Sequence, residues 1–411
     1  MKLPDGWTLS TIGETCEVVN GGTPKTSVAS YWGGPHQWIT PAEMGRRNSP
    51  YIEVTARSVT SAGLQNSSAR LLPPDSVILS SRAPIGHLAI NTVPMATNQG
   101  CKGLVPGPRV ACKFLYHYLS SIVETLDGLG TGATFRELSG SKLKEVGLPL
   151  PPLPEQRRIV AILDEAFEAI AKAKANTERN LDNAREVFES HLTMVFSTRR
   201  AGWSDRVLHS LCQRITVGHV GSMAARYKPS GIPFLRSQNV RPFSISMDNM
   251  VFIDDAFHAS LSKSTLLPGD VAIVRTGYPG TAAVIPSSLG VANCSDLVLV
   301  RPGPEIAADF LAAFFNSSFG KGLVSGKLVG AAQKHFNVGA AKAVVLHLPP
   351  LTEQRKIMAA VMALRAEIDH LESLLEFKLT ALDEIKQSLL HQAFTGTLTS
   401  KSTDQQLQAV A

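Results

Sequence analysis

Cysteine is scarce: Cys16, Cys101, Cys112, Cys212 and Cys294 are the 5 in 411 residues. They are odd in number, scattered and never in a C-x-x-C spacing, so neither a disulfide framework nor a cysteine zinc site is indicated, and a reducing cytoplasm is the expected home. No run of about 18 apolar residues occurs, so a membrane span is not expected. The amino terminus, Met1-Lys2-Leu3-Pro4-Asp5-Gly6, places a proline and an acid where a secretion signal needs an apolar core. Excess charge of one sign is also small, with 40 Lys+Arg against 34 Asp+Glu for a formal +6. At 44% hydrophobic and 18% charged residues, the chain reads as folded and multi-domain, not disordered.

Catalytic signatures are missing as well. Asp127-Gly128-Leu129-Gly130-Thr131-Gly132 has the look of a loop that holds S-adenosylmethionine, but the residues before it (Phe114 to Leu126) read as helix where such a loop needs a strand. No Asn/Asp-Pro-Pro-aromatic motif for amino methylation accompanies it. Ser325-Gly326-Lys327-Leu328 fails as a phosphate loop, because Leu328 stands where Ser or Thr must bind magnesium. The 11 histidines never pair with acids or cysteines at metal-ligand spacing. A binding protein with no metal and no cofactor of its own is the reading that remains. A methyltransferase or nuclease with its own unrecognised catalytic site competes with it and requires turnover by the purified chain alone. A coiled-coil scaffold without a nucleic-acid partner is a third reading, which requires that no salt-dependent DNA retention be seen.

What is present is a repeat. Residues 146–161 (VGLPLPPLPEQRRIVA) and 344–359 (VVLHLPPLTEQRKIMA) share 11 of 16 positions at an offset of 198. Upstream, Leu71-Leu72-Pro73-Pro74-Asp75 answers Leu266-Leu267-Pro268-Gly269-Asp270, Pro106-Gly107-Pro108 answers Pro302-Gly303-Pro304, and Trp7 answers Trp203. Two copies of a unit, one globular piece followed by one helix, therefore account for nearly the whole chain. The globular pieces, 1–147 and 199–345, carry short alternating runs such as Ser76–Ser80 and Val271–Val274 among Gly, Pro, Asn and Ser, which predicts short strands and long loops. One helix is expected at Phe114–Leu126 and its counterpart at Phe310–Phe319. The fold class is α+β: two loop-rich mixed domains in tandem duplication, each followed by a long helix.

Each long helix is expected to open at Glu155-Gln156 and Glu353-Gln354, just after prolines, where an acidic residue suits the positive end of the helix dipole. Neither proline nor glycine interrupts the following stretch of about 40 residues, so each helix would run roughly 60 Å. A seven-residue seam through Ile159, Leu163 and Ile170 in the first helix, and Leu364, Ile368, Leu371, Leu375, Leu382 and Ile385 in the second, predicts that the two pair as an antiparallel coiled coil.

The basic excess belongs to the globular pieces. Residues 1–147 hold 13 basic and 10 acidic side chains and 199–345 hold 15 and 8, whereas each helical segment is net acidic with 6 and 8. A polyanion is the simplest partner. Loops that combine donors and acceptors are the candidate base readers: Arg236-Ser237-Gln238-Asn239 with Arg241, and the positional counterpart holding Thr40, Glu43, Arg46 and Arg47. Ser81 and Arg82, their equivalents Arg275 and Thr276, and then Tyr278, Thr23 and Lys25 complete the set with Lys334 and His335.

Two globular pieces, each followed by a PPLPEQRRIV- or PPLTEQRKIM-type motif, with Gln392-Ala393-Phe394-Thr395-Gly396 closing the second helix, resemble the specificity subunit of type I restriction-modification systems. The resemblance covers the chain to about residue 398. One departure is visible ahead of the helix motif, where the family often has Thr-Gln and then Leu-Ser. Here the copies read Thr134-Phe135-Arg136-Glu137-Leu138-Ser139 and Ala332-Gln333-Lys334-His335-Phe336-Asn337. The resemblance implies target-recognition domains at 1–147 and 199–345, helical segments at 148–198 and 346–398, and a polar tail at 399–411. It implies a non-catalytic subunit whose partners are double-stranded DNA, two methylation subunits carrying S-adenosylmethionine, and restriction subunits using ATP and magnesium. Each recognition domain would read one half of a split, asymmetric site, with the helices as the ruler between them.

Overall fold

A computed structural model describes residues 3–47, 49–132, 136–326 and 335–400. The chain divides into two compact units, one of residues 1–176 with 378–411 and one of 177–377. Each unit therefore holds one globular domain, the first half of one long helix and the second half of the other.

In the first unit, strand Cys16–Asn20 opens a five-stranded sheet whose order continues through Cys101–Pro106, Ser76–Ser81, Ile85–Asn91 and Tyr51–Ile52. A three-stranded sheet sets Trp32–Ile39 between Arg57–Val59, antiparallel to it, and Met95–Thr97, parallel to it. The second unit repeats this plan with different residues. Cys212–Val217, Leu297–Pro302, Val271–Val274 and Ala282–Val284 form the larger sheet. Ile232–Leu235 lies antiparallel to Val251–Ile253 and parallel to Asn293–Cys294. The central strands Ser76–Ser81 and Val271–Val274 are buried along their whole length, because helices cover one face and the small sheet the other.

The single helix expected in each domain is two. Cys112–Ser121 and Val123–Leu129 meet at Ile122, and Ala308–Asn316 and Ser318–Ser325 meet at Ser317, whose hydroxyl accepts from the Gly320 amide at 3.0 Å. A serine that caps a new helix breaks the old one. The long helices run Leu153–Ser197 and Leu351–Thr395, opening two residues earlier than the Glu-Gln pair suggested, since Pro154 is tolerated in a first turn.

In both units the helix halves run antiparallel. In the first, Lys174 pairs with Asp383, Lys386 stands 5.4 Å over the Phe167 ring, and Arg158 donates to the Thr399 carbonyl. In the second, Arg185 Nε donates to Glu372 at 3.1 Å and Arg365 lies 5.2 Å over the Phe188 ring. Of the expected seam, Ile159, Leu163, Ile170, Ile368 and Leu375 are buried and Leu364 and Leu382 half-buried. Leu371 and Ile385 are exposed, at 42% and 48%, and their places toward the partner are taken by Glu372 and by the neighbouring Leu382 and Leu389. The buried stripe advances through Thr177, Ala184, Phe188, Leu192 and Val195, with Leu181 half-buried between them, leaving Asn180, Val187 and Met194 outside. A straight helix of ~3.6 residues per turn drifts past a strict seven-residue repeat in this way.

Candidate nucleic-acid interface

The duplicated motif places the surfaces that could meet a ligand. Gln156 is fully buried: its side-chain oxygen accepts from the Ala111 amide at 2.8 Å, and its nitrogen donates to the carbonyls of Arg109 and Pro151, each at 2.8 Å. Gln354 repeats the arrangement with the Ala307 amide at 2.8 Å and the carbonyls of Glu305 and Pro349 at 2.9 Å. The motif's glutamine thus staples the start of each helix to its own domain, a role that sequence reasoning missed by attending to the adjacent acid. A second equivalence joins the strands to the chain ahead of the helix: the Leu138 amide donates to Ser81 carbonyl at 2.9 Å, and the Phe336 amide to Arg275 carbonyl at 3.1 Å.

On this frame the candidate readers separate into side chains that the fold consumes and side chains that it leaves free. In the first domain Ser81 is 0% exposed, and its hydroxyl is buried without a hydrogen-bond partner among the described residues. It is core, not surface. Arg82 faces Glu137 at 3.6 Å, and Lys102, its ammonium held below its ordinary value by burial, approaches the same carboxylate at 3.9 Å. Glu43 accepts from the Ala56 amide at 3.1 Å and from Arg47 at 3.3 Å, and Arg47 also donates to the Val54 carbonyl at 3.3 Å. These two residues close their own loop. Thr40 begins the short helix Pro41–Met44 without a side-chain cap bond, and Thr23 donates to Gln99. Lys25 and Arg46 are exposed, and no intramolecular ion pair holds either side chain among the described residues.

In the second domain Asn239 is a correction of the same kind. It is fully buried, its oxygen accepts from the Arg236 amide at 3.1 Å, and its nitrogen donates to the carbonyls of Ser246 and Asp248 at 3.2 and 3.1 Å. An amide already satisfied on both ends has nothing left for adenine. Arg236 donates to the Asn249 carbonyl and lies 5.7 Å over the Tyr227 ring, so it is committed to the loop as well. Arg275 is held by Asp296 at 2.7 Å and by the Phe336 carbonyl at 3.1 Å, and Thr276 donates to Asp296 at 3.3 Å. His335 is half-buried, and Lys334 lies outside the described residues.

Around one groove of about 510 Å³ the fold gathers Ser237, Gln238 and Arg241 from one segment, Thr276, Tyr278 and Thr281 from the hairpin between Val271–Val274 and Ala282–Val284, and Lys321 from helix Ser318–Ser325. Arg241, Gln238 and Tyr278 are exposed. Lys321 gave no signal in the sequence, because one lysine on a short helix looks like ordinary solvation. The groove offers cations, an amide, hydroxyls and an aromatic ring side by side, the mixture that base edges and phosphates require.

A family model described as the type I restriction modification DNA specificity domain matches residues 4–178. The MjaIX specificity subunit of Methanocaldococcus jannaschii is 36% identical over 191 residues, covering 46% of this chain and 44% of that relative, so the matched part spans less than half of the relative's length. The EcoKI specificity subunit of Escherichia coli is 22% identical over 97% of this chain and 91% of its own. Among solved structures, a chain described in work on complex assembly and conformational transition of the type I R-M system superposes with a TM-score of 0.80 at 20% identity, covering 97% of this chain and 100% of that one. The HsdS subunit of Thermoanaerobacter tengcongensis does so with 0.62 at 20% identity over 97% and 99%. A duplicated α+β fold on paired helices defines the class, a two-domain scaffold. Residues 4–178 are thus similar to the type I restriction modification DNA specificity domain, and nearly the whole chain is similar, at lower identity, to type I restriction enzyme specificity subunits.

Proposed function

We propose that this chain is the DNA-recognition subunit of a type I restriction-modification enzyme and that each globular domain reads one half of a bipartite, asymmetric double-stranded site. The observation that carries this reading is the combination of one repeated frame with two unlike surfaces. The glutamine staples are the same in both copies, while the loops that surround the second-domain groove differ in sequence, and at the hairpin in length, from those at the equivalent places in the first. A repeated frame holding two different readers is what an asymmetric split target requires. The +7 of the second domain and the +3 of the first supply the phosphate attraction.

In this reading the helices set the unspecified gap and dock two methylation subunits, which bring S-adenosylmethionine, and restriction subunits add ATP- and magnesium-dependent cleavage. The chain itself contributes recognition and no catalysis, and it acts in the cytoplasm. Among the described residues no helix is long and apolar enough to cross a membrane, and no cluster of three or more His, Cys, Asp or Glu could hold a metal.

The test inserts four residues into each helix at the boundary between the units, after Asn176 and after Phe377. Four residues add ~6 Å of helix, the rise of about two base pairs, with a rotation of only ~40°. Mapping methylated bases in a host that carries the variant with its methylation subunits should return the same half-sites at wider spacing. New half-sites, or the original spacing, would refute the ruler.

A further inference from the structure

The two copies differ in length at one hairpin. In the first domain, strands Ser76–Ser81 and Ile85–Asn91 are joined by the three residues Arg82, Ala83 and Pro84. The equivalent strands of the second domain, Val271–Val274 and Ala282–Val284, are joined by the seven residues from Arg275 to Thr281. The longer loop is built to hold its tip. Arg275 and Thr276 are both fastened to Asp296, the Gly280 amide donates to the Val274 carbonyl at 3.0 Å, and the Val274 amide donates to the Thr281 carbonyl at 2.8 Å. Gly277 and Gly280 take φ values of +87° and +92°, which only glycine adopts without strain, and between them Tyr278 stands 84% exposed. A large ring held out by a fixed hairpin beside polar groups has an apolar face with no ring or cation partner among the described residues.

Lys321 lies beside this tip. Its Cγ is 3.6 Å from where a Cβ on Gly280 would sit, so the stem of the side chain packs on the hairpin, and Lys321 lines the same groove as Tyr278, Gln238 and Arg241. The counterpart helix of the first domain, Val123–Leu129, carries Glu124 and Asp127 and no cation. The helix of the first domain thus has no cation of its own in the place of Lys321.

Building on the DNA-reading function above, we propose that Tyr278 contacts a base of the half-site read by the second domain, and that Lys321 neutralises a phosphate beside it. Arg275, Thr276 and Asp296 then position the tip, which is why they are consumed internally instead of facing DNA. The division of labour has separable signatures. An aromatic face against a base, with a thymine methyl as the simplest apolar partner, changes which sequence is bound. A lysine on a phosphate changes how strongly every sequence is bound and how steeply salt weakens it.

The experiment selects randomised duplexes on the full-length chain, sequences the bound fraction, and measures affinity for the selected duplex from low to physiological salt. Lys321→Ala should weaken binding several-fold for all duplexes, lower the slope of log affinity against log salt by about 0.9, and leave the selected sequence unchanged. Tyr278→Ala should leave that slope unchanged and make one position of the second half-site degenerate, whereas Tyr278→Phe should retain the preference. Tyr278 is exposed, so its replacement leaves the core intact. If the wild-type chain binds DNA and Tyr278→Ala selects the same sequence, or Lys321→Ala keeps the wild-type slope, the assignment is overturned while the recognition function stands. If the wild-type chain retains no duplex in a salt-dependent way, the recognition function itself fails and takes the assignment with it.

Discussion

Replacing Gln354 with alanine tests whether the repeated motif is a staple. The side chain is fully buried and makes three hydrogen bonds, one accepted from the Ala307 amide at 2.8 Å and two donated to the carbonyls of Glu305 and Pro349 at 2.9 Å. Alanine leaves an N–H and two carbonyls inside the protein without these partners. At ~1–3 kcal/mol for each buried group left unsatisfied, and with some water entering the space vacated, the loss is about 3–5 kcal/mol. For a unit of about 200 residues, where 1 kcal/mol moves a transition by roughly 2–4 °C, this corresponds to a fall of about 10 °C. Glutamate in the same place keeps the acceptor but turns both donated bonds into oxygen facing oxygen, and buries a charge, so Gln354→Glu should be at least as damaging. Because Gln354 and Gln156 serve different units, amide exchange read segment by segment gives the sharper assay. Gln354→Ala should lower protection around Ala307 and Glu305 while residues 107–111 keep theirs, and Gln156→Ala should do the converse. A loss below 1 kcal/mol, or equal loss of protection in both regions, would refute the staple.

The seam and one buried histidine yield two more tests. Leu375 is 8% exposed and Leu371 42%, so Leu375→Asp should cost about 3 kcal/mol or more by burying a charge, and Leu371→Asp less than about 1 kcal/mol; equal effects in urea unfolding would restore the strict seven-residue seam. His117 sits beside Asp164 at 3.1 Å and Phe167, and burial holds its pKa below the ordinary 6.5 despite the carboxylate. The unfolded chain therefore takes up the proton first, so the stability of the first unit should be intact above about pH 6.5 and decline as the pH falls below it. His117→Phe should flatten that decline between pH 7.5 and 5.5, and an unchanged pH dependence would show that His117 does not couple to folding.

Much of the architecture was legible because its signals are local or internally repeated. The 198-residue offset exposes the duplication, the long stretches without proline or glycine expose the helices, and alternating runs such as Val271–Val274 expose the strands. Each of these depends on backbone preferences and period, which neighbours in sequence carry by themselves. The seam was half legible for the same reason: a seven-residue pattern picks out Ile159, Leu163, Ile368 and Leu375, but sequence alone does not say how a straight helix will drift against its partner, so Leu371 and Ile385 were misplaced. The candidate interface was legible only as residue types. Asn239 and Gln238 are adjacent and chemically alike in the chain, yet one is buried with its amide fully bonded and the other is exposed at a groove. Ser81 and Arg275 read as donors and turned out to be framework, while Lys321, about 80 residues from Gln238, joined the groove without any signal. Which polar groups are free is set by long-range packing, since a donor is available to DNA only if no carbonyl or carboxylate of the folded chain reaches it first. Sequence determined the frame, its repetition and the sign of its charge; tertiary structure decided which side chains on that frame are left exposed.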